Sequence, residues 1–217
     1  MIKAVLFDID GTLADSNELH VRAWAEVFRG RDLDIPDAAI HAQIGKGADL
    51  LVPALVPGAD ESLAGSLGDE HGAIFKARYL GRVKPFPGAH ELLARTKAGG
   101  RRVVLASSAS KEELEHYLDL LGARDIVDAG TSIDDVETSK PAPDIFAVAL
   151  KRAGVDPDEA VAVGDSPYDV EAAGKSGVAT VALRSGGFGD EALSGAVALY
   201  DDAAALLAGF EASPLAS

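Results

Sequence analysis

Residues 1–15 read MIKAVLFDIDGTLAD, and the fold turns on them. The run Ile2 to Phe7, apolar but for Lys3, stops abruptly at Asp8, and Asp10, Gly11 and Thr12 follow. An apolar run of about six residues closed by a turn signal is the pattern of a strand buried in a parallel sheet. Open α/β sheets bind ligands just beyond the C-terminal ends of their strands, which is where this reading puts Asp8 and Asp10. Alternate residues of an extended segment share a face, so both carboxylates can address one bound group. Their mutual repulsion would be relieved by a divalent cation or a shared proton. Taken alone, the same residues also fit an Asp-rich turn that caps its own backbone amides. An EF-hand loop does not fit, because the glycine comes too early and no Glu stands at the twelfth position.

Composition narrows the classes. The 217 residues suffice for one good-sized domain, or for one domain carrying a smaller insert. Hydrophobic residues make up 47% and charged residues 25%, as in ordinary soluble globular proteins. No apolar run approaches a membrane span, and the N-terminus lacks a signal peptide's basic region and long apolar core, so cytoplasm is the expected location. The absence of cysteine excludes disulfides, thiolate metal sites and a cysteine nucleophile. A net charge of −15 argues against nucleic acid and anionic membranes as partners. A small anionic substrate remains open, since it answers to the local field of a cleft. A monomer or weak homodimer is expected.

Beyond Asp15, Ser16 reads as a helix cap, and Leu19, Ala23, Val27 and Phe28 are apolar at helical spacing across Asn17 to Phe28. His20 and Trp24, four apart, share a face. From Ile35 to about Leu80 the pattern is of short helices broken by Gly and Pro, ending at a Pro/Gly-rich joint over residues 83–88. A small helical insert over residues 16–85 is therefore expected, with residues 1–15 and 86–217 forming the α/β core. From His90 strands and helices alternate. Strands are expected at 103–106, 126–129, 160–163, 178–183 and 196–200. Helices are expected from Ser110 to about Leu121, over 143–153, over 168–175 and near 202–209. This alternation predicts an α/β fold with a Rossmann-like, doubly wound parallel sheet. The last five residues are expected to fray.

Polar residues gather at the strand ends. Ser107 and Ser108 follow the strand at 103–106, Lys140 lies in Ser139-Lys140-Pro141, and Gly164-Asp165 with Asp169 follow the strand at 160–163. Each alone has a plain explanation: helix caps for the serines, a solvated lysine for Lys140, a tight turn for Gly164-Asp165. Together, on one sheet edge, they offer carboxylates, hydroxyls and one lysine to a single place.

These motifs resemble those of the haloacid dehalogenase superfamily of phosphotransferases, in the subgroup with a helical cap inserted after the first motif. The matches are Asp8-Ile9-Asp10-Gly11-Thr12, Ser107, Lys140 in Ser-Lys-Pro-Ala-Pro-Asp, and Gly164-Asp165 with Asp169, and they span nearly the whole chain. The resemblance implies phosphoryl transfer, because dehalogenating members lack the second carboxylate held here by Asp10. It implies Asp8 as nucleophile and Asp10 as general acid and base. It implies Mg2+ bound by the Asp8 carboxylate, the Asp10 backbone carbonyl and Asp165, with Asp169 in support. Phosphate would be held by Ser107, with Ser108, Gly11 and Thr12 beside it, and Lys140 would balance both phosphate and Asp8.

The cap loop Ile44-Gly45-Lys46-Gly47-Ala48-Asp49 resembles that of sugar-phosphate and phosphoglycolate-type phosphatases, and the expected partner is a small phosphorylated metabolite. Lys46 is a candidate for a substrate anion, or else a solvated lysine. His20 and Trp24 either face the cleft or belong to the cap core. A β-phosphoglucomutase reading is the alternative. It is disfavoured by Asp49 and Gly164, where the resemblance leads one to expect an arginine in the cap loop and a glutamate. A receiver domain does not fit the length or the insert, and a catalytically inactive binding or regulatory homologue is disfavoured because no motif residue is missing.

Overall fold

The computed structural model describes residues 1–217. Ala4–Phe7 forms β1, wholly buried, at the centre of a six-stranded parallel sheet. The other strands are β4 (Arg102–Ala106), β5 (Ala129–Thr131), β6 (Ala160–Gly164), β7 (Ala179–Leu183) and β8 (Ala198–Tyr200), in the order β5-β4-β1-β6-β7-β8. The chain builds outward from β1 on one side through β4 and β5, then crosses to the other side at β6. The loops leaving β1, β4 and β6 therefore border one crevice.

The period-two alternation of strand side chains fills both faces. Val5 and Phe7 of β1 join Val103 and Leu105 of β4 in one apolar cluster, under helices α5 (Ala89–Ala98), α6 (Lys111–Leu120) and α9 (Ala203–Ala208). Ala4 and Leu6 join Val104 and Ala106 on the opposite face, under α7 (Asp144–Ala153) and α8 (Pro167–Lys175). Helix ends follow the sequence signals. Ser110 and Glu113 form a capping box on α6, Ser166 and Asp169 form one on α8, and Gly154 ends α7 with φ 64°.

Four helices lie between β1 and α5 in the chain: α1 (Asn17–Arg29), α2 (Asp37–His41), α3 (Ala48–Leu55) and α4 (Glu61–Arg78). They share a cluster of their own, including Trp24, Phe28, Ile40, Leu51 and Leu67. Its two connectors pair with each other as a short antiparallel ladder, β2 (Ala14–Asp15) against β3 (Lys84–Pro85). No helix is long and apolar enough to cross a membrane.

Four local expectations are corrected. The stretch from Glu61 to Arg78 is one 18-residue helix rather than short pieces, despite Gly65, Gly68 and Gly72. Asp60 caps it by accepting from the Leu63 amide at 2.8 Å, and Leu67 and Phe75 bury its inner face. The strand expected at 126–129 is shifted to Ala129–Thr131, because Ile126 and Val127 are apolar for packing against the core from a turn. Ser16 sits at the α1 N-cap but makes no cap bond. Finally, the C-terminus does not fray. Leu215 is fully buried, and the Ser217 carbonyl accepts from the Ile2 amide at 2.7 Å.

Candidate active site

Asp8 leaves β1 with its amide donating to the Val163 carbonyl at 2.8 Å, which aims its buried side chain into the crevice. Lys140, 1% exposed, reaches the same place from the loop before α7. Its Nζ donates to Asp8 Oδ1 at 2.6 Å and to the Ala106 carbonyl at the end of β4 at 2.8 Å, and it pairs with Asp169 Oδ1 at 2.7 Å. Asp169 Oδ2 accepts from the amide and hydroxyl of Ser166, so both of its oxygens are engaged. Asp165, at the end of β6, accepts from Thr12 Oγ1 at 2.8 Å and from Asn17 Nδ2 at 3.0 Å. Two glycines let backbone crowd this carboxylate. A Cβ at Gly11, whose φ is +74°, or at Gly186 would lie 2.3 or 1.8 Å from Asp165 Oδ2.

Burial dominates the protonation of this cluster. It pushes Asp8 up to about 7 against the pull of Lys140, with Asp169 and Asp10 adding to the rise. Burial, then Asp169 and Asp8, push Asp165 well above the carboxylate range, opposed by the hydrogen bonds from Thr12 and Asn17. For Lys140 burial works the other way, but Asp169 and Asp8 outweigh it and raise the ammonium.

Oxygens of Asp8, Asp165 and Asp169 lie within 4.8 Å of one another. Three carboxylates share one ammonium, so the cluster carries two uncompensated negative charges when ionised. All its donors are hard oxygens. A divalent hard cation fits both the charge and the donor set. The Asp10 carboxylate lies outside this cluster.

The Asp10 side chain is instead held by three donors on one oxygen. Oδ1 accepts from Ser16 Oγ at 2.5 Å and from Tyr117 OH at 2.6 Å, and His20 Nε2 lies 3.2 Å away. Burial pushes this carboxyl up, but the charge and hydrogen bond of His20, with those of Ser16 and Tyr117, hold it at about 2. His20 is itself fixed, stacked on Phe75 at 3.8 Å between centroids, with Nδ1 3.3 Å from His71 Nε2. Trp24 stacks on His71 at 4.3 Å. Sequence reasoning missed Tyr117, which sits on the core face of α6 and reads as packing. The available signal was its hydroxyl, since a buried tyrosine needs a partner.

A cavity of about 550 Å³ opens over Asp8 and Asp10, between the sheet edge and the four-helix insertion. His20, Trp24, Lys46 and Ser108 line it. Ser107 is fully buried below, its hydroxyl accepting from the Ala109 amide at 3.0 Å. Lys46 does not point at Asp8: its Nζ donates to Gln43 Oε1 at 2.6 Å and lies 4.5 Å from the centroid of the Tyr168 ring. The insertion is clipped to the core beside the site. The Gly47 amide donates to Ser139 Oγ at 2.9 Å, and the Ser139 amide donates to Asp49 Oδ2 at 3.1 Å.

A parallel α/β sheet with a buried aspartate, lysine and acidic cluster at one strand edge is the setting in which the family comparison places this chain among hydrolases. The chain belongs to the haloacid dehalogenase-like hydrolase family, whose model matches residues 2–177. It is 32% identical over 216 residues to the phosphoglycolate phosphatase of Rhodospirillum rubrum, covering 95% of this chain and 90% of that protein. It is 30% identical over 183 residues to a fructose-1-phosphate phosphatase of Escherichia coli, covering 83% and 95%. The crystal structure of a hydrolase from Pseudomonas syringae superposes with a TM-score of 0.91 at 29% identity, covering 98% of this chain and 99% of the other.

Proposed function

We propose that the chain is a magnesium-dependent phosphatase that cleaves a small phosphomonoester through an aspartyl-phosphate on Asp8. The carrying observation is the placement of Asp8 at the cavity floor, with Lys140 on one oxygen and Asp165 and Asp169 beside it. Asp8 attacks phosphorus as its carboxylate, and the ester bond breaks as Asp10, protonated from the His20 imidazolium beside it, passes that proton to the departing alkoxide. Asp10 then takes a proton from water as that water attacks the phosphorus of the aspartyl-phosphate, which frees Asp8 and inorganic phosphate. Lys140 balances charge on the transferring oxygens and on Asp8. Ser107 and Ser108, with the backbone at Gly11 and Thr12, are proposed to receive the phosphate. Asp8, Asp165 and the Asp10 carbonyl would hold Mg2+, with Asp169 supporting through Lys140. When bound, the cation neutralises this carboxylate cluster and the incoming phosphate.

Residues 16–85 are proposed to act as a cap that closes over the site, hinged at β2 and β3, to exclude water from the reacting centre. His20 acts on this reading through Asp10. Asp49 supports hydrolysis over mutase chemistry, because its carboxylate is spent on the Ser139 amide and offers nothing to a second phosphate. Release of phosphate from p-nitrophenyl phosphate with Mg2+ tests the reading. The Asp8→Asn protein is expected to retain its fold and lose the activity; wild-type-like turnover by that variant would sink the mechanism.

A further inference from the structure

The cavity is far larger than a phosphoryl group needs, and its outer wall says what else it holds. A volume of about 550 Å³ lies in the range of sites for ligands of many atoms. Gly65 and Gly72 of α4 line it, and a Cβ at either would meet nothing within 4 Å. Alanine would fit at both positions and would favour the helix by about 1 kcal/mol each. Glycine there keeps the cavity wide at the helix's expense. Beside Gly72, His71 of the same helix stacks on Trp24 of α1, giving the cavity an aromatic wall.

The charges on this wall are one-sided. Beyond Asp8 and Asp10, the lining carboxylates are Asp69, Glu113 and Asp134, and no arginine lines the cavity. Its two ammonium groups, Lys46 and Lys76, are outnumbered and are turned onto other partners. Lys76 pairs with Glu112 at 2.7 Å, and Lys46 is turned onto Gln43 and the Tyr168 ring. His20 is turned onto Asp10, and His71 Nε2 is taken up by His20 Nδ1 at 3.3 Å. A second anionic group on the substrate would meet an excess of carboxylates over ammonium groups. Hydroxyls or an ammonium would find acceptors.

We infer that the alcohol released at this site is uncharged or cationic and about as large as a sugar ring, and that phosphoesters carrying a second carboxylate or phosphate are rejected. This rests on the phosphatase reading above and narrows it. Matched pairs test it, because each differs chiefly in the group remote from the ester, uncharged or cationic in the first member and anionic in the second: phosphoethanolamine against phosphoglycolate, glycerol 3-phosphate against 3-phosphoglycerate, and fructose 1-phosphate against fructose 1,6-bisphosphate. With Mg2+ present, kcat/KM is expected to favour the first member of every pair at least tenfold, and the hexose ester over the two-carbon esters. Asp69→Lys, at an exposed position, is expected to raise kcat/KM several-fold for the anionic members and shrink each ratio. Ratios near one, a preference for the anionic members, or ratios unmoved by Asp69→Lys would overturn the inference while leaving the phosphatase reading intact. No phosphate release from any ester, p-nitrophenyl phosphate included, would overturn both.

Discussion

Gly164 and Asp169 form one unit, and a double-mutant cycle can measure it. A Cβ at position 164 would lie 2.5 Å from Asp169 Cβ, 2.6 Å from its Cγ and 2.8 Å from Oδ2. Asp169 is rooted in the first turn of α8, so its Cβ cannot swing away and its carboxylate must leave. That departure removes the Ser166 cap, about 1 kcal/mol, and one of the two carboxylates on buried Lys140. Breaking a buried pair costs about 3–5 kcal/mol, here toward the lower end because Asp8 still pairs with the lysine. Gly164→Ala is therefore expected to cost about 3–4 kcal/mol in urea unfolding with the cation chelated. For a chain of this size that corresponds to a fall in Tm of about 10 °C. Asp169→Gly should cost a similar amount, including about 1 kcal/mol for glycine in a helix. Once Asp169→Gly has removed the obstructing Cβ, Gly164→Ala should add almost nothing, giving a coupling of about 3–4 kcal/mol in magnitude. Additivity within about 0.5 kcal/mol would refute the claim that glycine stands at 164 to make room for Asp169.

Four further outcomes are expected. Tyr117→Phe keeps the ring and removes one donor to a carboxylate, worth about 1.5–3 kcal/mol, so kcat should fall at least about tenfold with KM little changed; an unchanged kcat in steady-state assays would leave Tyr117 as packing only. Leu215→Ala should cost about 2–5 kcal/mol in urea unfolding, because the side chain is fully buried, whereas a frayed tail would give no change. Asp135 is held at about 2, first by its hydrogen bond from Arg152, so its folded value lies below the unfolded one; the stability it adds is present at neutral pH and is lost as pH falls through about 2. Asp135→Asn should thus destabilise by under about 1 kcal/mol at pH 7, with the difference fading toward pH 2 in urea titrations. Mg2+ at a hundred times its Kd should stabilise the wild type by about 2.7 kcal/mol in thermal unfolding, and the Asp165→Asn protein by much less.

How far the sequence could be read depended on whether a signal was local. The run ending at Asp8 announced a central strand, and β4, β6, β7, α6, α7 and α8 followed from strand runs and caps within two residues of their observed bounds. The polar groups at strand ends were legible because a parallel sheet sends those ends to one edge. Long-range pairing was not legible. Two residues on each connector make β2 and β3, too few to carry a pattern. Three glycines hid the continuity of α4, whose inner face is paid for by Leu67 and Phe75. Ser16 carried the right signal for a helix cap, yet its hydroxyl serves Asp10, a choice made by an acceptor six residues earlier folding back over it.

The two central aspartates differ by environment, and their proposed tasks call on what lies beside each: a cation for buried Asp8 and the His20 imidazolium for Asp10. Asp8 loses its water to burial and keeps one ammonium on Oδ1, while Asp10 gathers three donors on its Oδ1. Those three donors come from two bodies. Tyr117 belongs to the sheet domain, whereas Ser16 and His20 follow the β2 connector into the four-helix insertion. If the insertion moves as a cap, Tyr117 keeps its hold on Asp10 while the other two donors depart and return with closure. The same closure seats Asp49 and Gly47 on Ser139, the residue before Lys140. On the proposed reading, closing the cap would complete the surroundings of Asp10 and pin the loop of Lys140 at one stroke. An unliganded open form would hold Asp8 ready but leave Asp10 and Lys140 less constrained, which confines full catalytic order to the state in which bulk water is shut out.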